Sequence, residues 1–385
     1  MRKVLKVAGI GMFALLAGCS SISSLNPFSA KVEPKNVPAA LVDFKSTLAL
    51  KSVWTASVGS SGNYVFSPAY AGDSIYAAAA NGSISRISAA NGSTLWRINA
   101  DIPLTAGVGS DGSTVAVAGE KGLVIAYDAD GKLRWKAQAS SEVLSAPVVG
   151  AGLVVVLSLD NRISAYDVAS GKRKWSVDRT SPSLTLRSSP GMVIVGPTVV
   201  AALPGGKLLS VDLRNGGARW EVAVGDPRGA TELERIADVS GFPAVFGRDV
   251  CAAAYQGRVG CVDVVTGAAR WSKKLSSGSG LGIDDRNVYA TDENSALYAF
   301  TRDSGQSVWR NDKLAHRGLS APISLGRVIA VADGQGYIHF LSREDGSFMN
   351  RVSTDGSPIL AAPLLAGTNL IIQTKSGTLL AVAAE

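Results

Sequence analysis

Ala146-Pro147-Val148-Val149, Leu153-Val154-Val155-Val156-Leu157-Ser158-Leu159, Ile163-Ser164-Ala165-Tyr166-Asp167 and Arg173-Lys174-Trp175-Ser176-Val177 are four short runs within residues 146–177. Asp160-Asn161 and Ser170-Gly171 punctuate them as turns. Runs of this length, rich in β-branched and aromatic residues and broken by Gly, Asn and Asp, read as strands. One unit is therefore four antiparallel strands, with a tryptophan on the last.

That unit repeats. Trp54, Trp96, Trp135, Trp175, Trp220, Trp271 and Trp309 account for all seven tryptophans and lie 42, 39, 40, 45, 51 and 38 residues apart. Six of them follow a glycine by four residues: Gly92, Gly131, Gly171, Gly216, Gly267 and Gly305. An eighth slot keeps Gly346 but carries Asn350. The opening proline precedes the anchor by 28 residues at Pro68, Pro147, Pro243 and Pro322, and by 30 at Pro190. Gly107 and Leu281 hold the 28-residue spacing without proline. A period near 40 with four strands per unit is the signature of a β-propeller.

The eighth unit is split. Pro363 opens it, and its third strand ends near Val382. Leu48–Trp54 is a lone fourth strand with no strands before it. Joining the two fragments closes an all-β, eight-bladed ring and hides the edges that an open sheet would leave. The anchor tryptophans then fill space between blades, since a large rigid ring buries up to about 250 Å². The Asp-x-x-x-Gly pairs Asp167/Gly171, Asp212/Gly216 and Asp263/Gly267 read as strand-connecting turns, not as catalytic carboxylates.

The N-terminus is of another kind. Arg2, Lys3 and Lys6 precede an apolar run, Val7–Leu16, too short to span a bilayer. Leu16-Ala17-Gly18-Cys19 follows and resembles the lipobox of bacterial lipoproteins. That resemblance implies a signal peptide over 1–18, a diacylated Cys19 as mature N-terminus, and a tether of Ser, Pro, Asn and Lys over 19–44 before the propeller at 45–385. Ser20 stands where an Asp would signal inner-membrane retention, which favours the outer membrane and its periplasmic face. Loss of the three signal charges takes the net charge from +7 to 35 − 31 = +4. There is no Lys/Arg block, so nothing points to nucleic acid.

Function is expected where the repeat is irregular. The other units use 10 to 14 residues from anchor to next opening; Trp175 to Pro190 uses 15 and Trp220 to Pro243 uses 23. Both loops flank the unit 190–220, so they should be neighbours on one face. The first holds Leu184-Thr185-Leu186-Arg187, whose alternation sets both leucines on one side of an extended segment. The second holds 228–240, where Thr231 and Glu234 suit a capping box. The leucines either pack on the neighbouring blade or form an exposed apolar-plus-Arg patch of the kind interfaces use. Cys251 and Cys261 face each other across a hairpin turning at Gln256-Gly257, either as a disulfide or as two buried thiols.

Enzymatic readings are weak. No Cys-Cys pair exists, and His316 and His339 lack metal-ligand spacing. Gly278-Ser279-Gly280 has no helix after it, as a nucleophile elbow requires. A quinone-type propeller enzyme, and a periplasmic propeller binding a small molecule or peptidoglycan in its channel, are the alternatives. No cofactor is expected.

The lipobox, the short tether, eight Trp-anchored blades, Leu-x-Leu-Arg and Thr-Glu-Leu-x-Arg-Ile-x-Asp-Val together resemble the BamB family of outer-membrane protein assembly factors. These are the lipoprotein propellers of the β-barrel assembly (BAM) machinery. The resemblance covers essentially the whole chain and implies a non-catalytic scaffold. It implies that Leu184, Leu186 and Arg187 belong to a segment that binds the periplasmic (POTRA) domains of BamA, with other BAM subunits reached through the complex. Asp238 matches an acidic position in the second loop. Where relatives carry Asp-Val-Asp, this chain has Asp238-Val239-Ser240, so no carboxylate stands at the second acidic position. Unfolded outer-membrane proteins are a further class of partner, reached by strand addition to outer edges.

Overall fold

A computed structural model describes residues 36–225 and 227–384. The signal segment, Cys19 and residues 20–35 of the tether lie outside the described residues. Pro38 to Glu385 form one compact unit.

Eight four-stranded antiparallel sheets follow one another along the chain. Blade 1 comprises Ala69–Ala71, Ser74–Ala78, Ser83–Ser88 and Thr94–Asn99. Blades 2 to 7 occupy 109–138, 148–178, 192–223, 239–274, 281–311 and 323–353. Blade 8 combines Leu364–Ala366, Asn369–Gln373 and Thr378–Ala384 with the N-terminal strand Leu50–Ser57. That strand pairs from Leu50 opposite Ala384 to Ser57 opposite Thr378, which closes the ring as the split repeat predicts.

Burial explains the sequence pattern. Second strands such as Leu153–Leu157 are buried at every residue, because each blade is covered on both faces by its neighbours. They therefore read as unbroken apolar runs. Fourth strands such as Arg173–Asp178 face outward and alternate, burying Trp175 between exposed neighbours. The core is accordingly a set of wedges between consecutive blades. Leu153, Val155, Leu157, Ile163 and Trp175 of blade 3, for example, pack against Met192, Val199, Ala201 and Leu209 of blade 4.

The anchors hold consecutive blades together through one recurring contact. Each indole N–H of the seven tryptophans donates to a backbone carbonyl of the next blade: Ala89, Ala129, Val168, Leu213, Val264, Arg302 and Arg343, at 2.5–3.0 Å. The ring lies against the turn glycine of that same blade. A Cβ added to Gly171 would sit 2.6 Å from Trp135, and one on Gly346 2.5 Å from Trp309. These glycines also hold φ near +70°, at +69° and +71°. Sterics and backbone conformation thus both demand glycine there. The aspartate four residues earlier caps the same turn: Asp167 Oδ1 accepts from the Ala169 and Ser170 N–H groups. Bonds from the Ser170 hydroxyl and backbone hold its carboxyl down at about 2. These aspartates are structural.

The exception at Asn350 has a geometric cause. The third and fourth strands of blade 8 come from opposite ends of the chain, so no tight turn joins them. No turn glycine awaits an indole from blade 7. Asn350 fills the anchor slot instead, and its Nδ2 donates to the Leu48 carbonyl at 2.6 Å. Phe348 nearby stacks on Phe44, centroids 5.3 Å apart.

Phe44 belongs to a stretch, 38–44, that the sequence reads as tether. These residues instead lie on the propeller. The Ala39 N–H donates to Ala315 O at 2.8 Å. Arg317 donates from Nη1 to Ala39 O at 2.9 Å, and Arg351 from Nη2 to Val42 O at 3.2 Å. Behind them sits a buried relay. Arg317 Nε donates to Asp333 Oδ2 at 2.6 Å, and His339 Nε2 lies 2.9 Å from the same oxygen. Arg351 Nε donates to His339 Nδ1 at 3.2 Å, so the imidazole proton resides on Nε2 and the ring is neutral. His339 is thus a structural residue.

Cys251 and Cys261 are direct cross-strand partners in blade 5, fully buried, with Cα atoms 4.0 Å apart. In the structure a disulfide joins them.

Candidate interaction face

Antiparallel blades send their connections to two ends. The Asp-x-x-x-Gly turns lie at one. The blade-to-blade loops and the hairpins between second and third strands lie at the other, and both irregular loops are there. They flank blade 4 and are tied to each other. Asp238 Oδ2 accepts from the Leu186 N–H at 2.5 Å, while Oδ1 accepts from the Gly205 N–H at 2.8 Å. One carboxylate thus joins the 179–191 loop, the blade 4 hairpin and the end of the 224–238 loop. The sequence marks Asp238 as an acidic contact position, yet it is only 2% exposed. Its charge is spent on two backbone donors. The hairpin fits against the second loop only through glycine: a Cβ on Gly206, at φ +75°, would meet Gly225 Cα at 2.4 Å.

The two leucines divide the readings left open above. Leu184 is 46% exposed. Leu186 is half-buried and enters a narrow apolar recess with Leu144, Leu157, Leu159 and Val239. Arg187 is exposed and uses Nη2 to bond both Glu142 carboxylate oxygens, at 2.8 and 2.7 Å. Among the described residues it makes no other hydrogen bond, which leaves Nε and Nη1 as further donors of its fork. Glu142 carries no sequence signal, since it lies in a loop of ordinary length.

In the second insertion, Glu234 Oε2 accepts from the Ala230 and Thr231 N–H groups at 2.7 and 3.1 Å. Thr231 Oγ1 accepts from the Glu234 N–H at 3.3 Å. This reciprocal pair is the capping box, and it orders a single 3-10 turn, Leu233–Arg235. The turn presents Leu233, 66% exposed. Ile236 and Ala237 are buried beneath. Leu184 and Leu233, neither protected by its own fold, are therefore carried on ordered loops beside blade 4.

Arg187 also rims the mouth of the central channel, a cavity of about 420 Å³ lined by Tyr64, Ser145, Phe242, Ser279 and Leu360 among others. Among the described residues no group of three or more His, Cys, Asp or Glu side chains is placed to hold a metal ion.

The family model described as outer membrane protein assembly factor BamB matches residues 80–311. The chain is 44% identical to outer membrane protein assembly factor BamB of Bordetella pertussis (strain Tohama I), over 96% of each chain. It is 42% identical to that of Burkholderia pseudomallei (strain K96243), over 96% of this chain and 95% of the relative. Among solved structures, BamB from Moraxella catarrhalis superimposes with a TM-score of 0.79 at 26% identity, covering 87% of this chain and all of that one. Matches of this identity and extent place the chain in the outer membrane protein assembly factor BamB family.

Proposed function

We propose that the chain is a non-catalytic scaffold of the outer-membrane β-barrel assembly machinery. A lipid on Cys19 holds it at the periplasmic face of the outer membrane, and the face beside blade 4 docks the periplasmic (POTRA) domains of BamA. The observation that carries this reading is the Asp238 bridge, which fixes two separately inserted loops into one surface. On that surface Leu184, Leu233 and Arg187 stand exposed. An apolar group beside a guanidinium with donors to spare is what a protein interface uses as an anchor. Other BAM subunits are met through the complex.

Replacement of Leu184 and Arg187 by alanine leaves the wedges between blades untouched. The double variant should melt like the parent yet bind purified BamA periplasmic domains about tenfold to a hundredfold more weakly. Binding at parental affinity would move the docking face elsewhere. The anchor is tested separately: Cys19→Ser should leave an uncleaved, mislocalised precursor and abolish retention in outer-membrane fractions, because the proposed lipid sits on that thiol. Retention after a salt wash would refute it.

A further inference from the structure

The top corner of each blade, where the third strand begins and the fourth ends, brings two residues directly opposite one another. Blades 1, 2, 6 and 7 place Ser83/Asn99, Leu123/Gln138, Leu297/Asn311 and Tyr337/Ser353 there. Blade 8 places Thr378 opposite Ser57. Blade 3 pairs Arg162 with Asp178 as an ion pair. Blade 4 sets Lys207 opposite Ala223, with Glu221 at 2.7 Å as its counter-ion. Blade 5 alone sets two cations face to face, Arg258 opposite Lys274, with Lys273 adjacent. All three are exposed, and among the described residues none has an ion-pair partner.

Like charges directly opposed across strands destabilise the sheet. A surface that tolerates them at one corner of eight, where others supply a counter-ion, has its counter-charge elsewhere. Arg258 and Lys274 line a cavity of about 340 Å³ whose other wall is the 227–238 stretch of the second insertion, contributing Arg228 and Glu234. Glu234 is the only carboxylate among these lining residues, and its Oε2 is engaged by two backbone N–H groups. The cavity belongs to the same inserted loop that presents Leu233, so it continues the docking face by one blade.

We propose that this cavity receives an acidic segment of the protein that docks on the adjoining loops, a side-chain carboxylate lying between Arg258 and Lys274. This rests on the docking face described above and names what it recognises. A protein carboxylate suits the site better than a phosphate. Many phosphate sites add converging backbone N–H groups to their cations, and here the N–H of the lining residue Gln256 is taken by Ser276 Oγ at 2.6 Å. Long, exposed cations at the rim of an apolar contact steer association and set its salt dependence.

The test follows association of the lipid-free chain with purified BamA periplasmic domains across ionic strength. Arg258→Glu recreates the ion-paired corner of blade 3 and so keeps the fold. It should slow association about tenfold at low salt and flatten the salt dependence. Arg258→Glu/Lys274→Glu should slow it further. Lys132→Glu/Lys172→Glu, on turns at the opposite end of the propeller, should have little effect. Unchanged kinetics in the Arg258 variants, with the parent still binding, would overturn the pocket and leave the docking face standing. An equal drop in the distant control would overturn it as a net-charge effect. A parent that does not bind these domains would sink both readings. Inorganic phosphate that binds the parent and not the Arg258→Glu/Lys274→Glu chain, with association unchanged, would overturn it in favour of a phosphate site.

Discussion

Asp238 is buried, and its two carboxylate oxygens hold Leu186 and Gly205 by their backbone N–H groups. Asp238→Ala therefore acts on any partner only through the loop it positions. Two part-buried N–H groups would lose their acceptor, at up to about 1–3 kcal/mol each. The variant should lose both thermal stability and BamA affinity, whereas Leu184→Ala loses affinity alone. Parallel melting and binding curves separate the two, and a fully stable Asp238→Ala chain that binds weakly would return the residue to the interface. Turn glycines make the complementary case. Gly171 is committed by φ +69° and by Trp135 lying where a Cβ would go. Gly171→Ala should lower the urea midpoint by the equivalent of about 1–3 kcal/mol with the m-value unchanged. Gly152 has φ +76° but nothing within 4 Å of its would-be Cβ. The same change there should cost only the backbone strain, about 1–2 kcal/mol.

Two elements of the fold respond to solution conditions. In the relay beneath residues 38–44, burial pushes His339 below its ordinary value, and the neighbouring guanidiniums of Arg351 and Arg317 add to this while Asp333 opposes it. For Asp333, burial pushes upward, but bonds from His339, the Tyr337 N–H and Arg317 outweigh it and leave the carboxyl low. Tyr337 and Asp43 complete the charged and titratable surroundings through Arg351. Because the folded imidazole resists protonation, the unfolded chain binds more protons below pH 6.5. Stability from this source is present above that pH and falls away as the pH drops through it. The Asp333 contribution is present above 3.8 and is lost only below. Melting temperatures should therefore decline through the first window in the parent. They should decline less in His339→Gln, whose amide can serve both partners. Equal slopes would exclude His339 as the source. In blade 5, Cys251→Ser/Cys261→Ser opens the ten-residue loop of the disulfide and should cost about 2–4 kcal/mol. If both thiols alkylate fully in unreduced, denatured parent protein, the pair is not bridged in solution.

At the scale of the molecule, periodicity made the ring legible. Seven tryptophans on one register and a unit split between the chain ends define eight blades and their closure from the sequence alone. Lone residues whose meaning depends on distant partners were not legible. Asp238 looked like a surface acid because its donors lie 52 and 33 residues away. Residues 38–44 looked like tether because their anchors, Ala315, Arg317 and Arg351, are some three hundred positions downstream. Asn350 was visible as an exception, but its cause emerges only when the ring closes without a turn. The same closure sets the final expectation. Removing residues 36–57 deletes the fourth strand of blade 8, Trp54 from the wedge with blade 1, and the Leu48 carbonyl that Asn350 binds. Thr378–Ala384 then becomes a bare, apolar edge, which is a template for another chain. The shortened protein should self-associate at micromolar concentration and lose its single cooperative melt. A synthetic peptide spanning 36–58, added in trans, should restore both. Ending the deletion at Val37 should change neither, since the compact unit begins at Pro38. A monomeric 58–385 chain melting at the parental temperature would show that the seven remaining complete blades hold the ring without the closing strand.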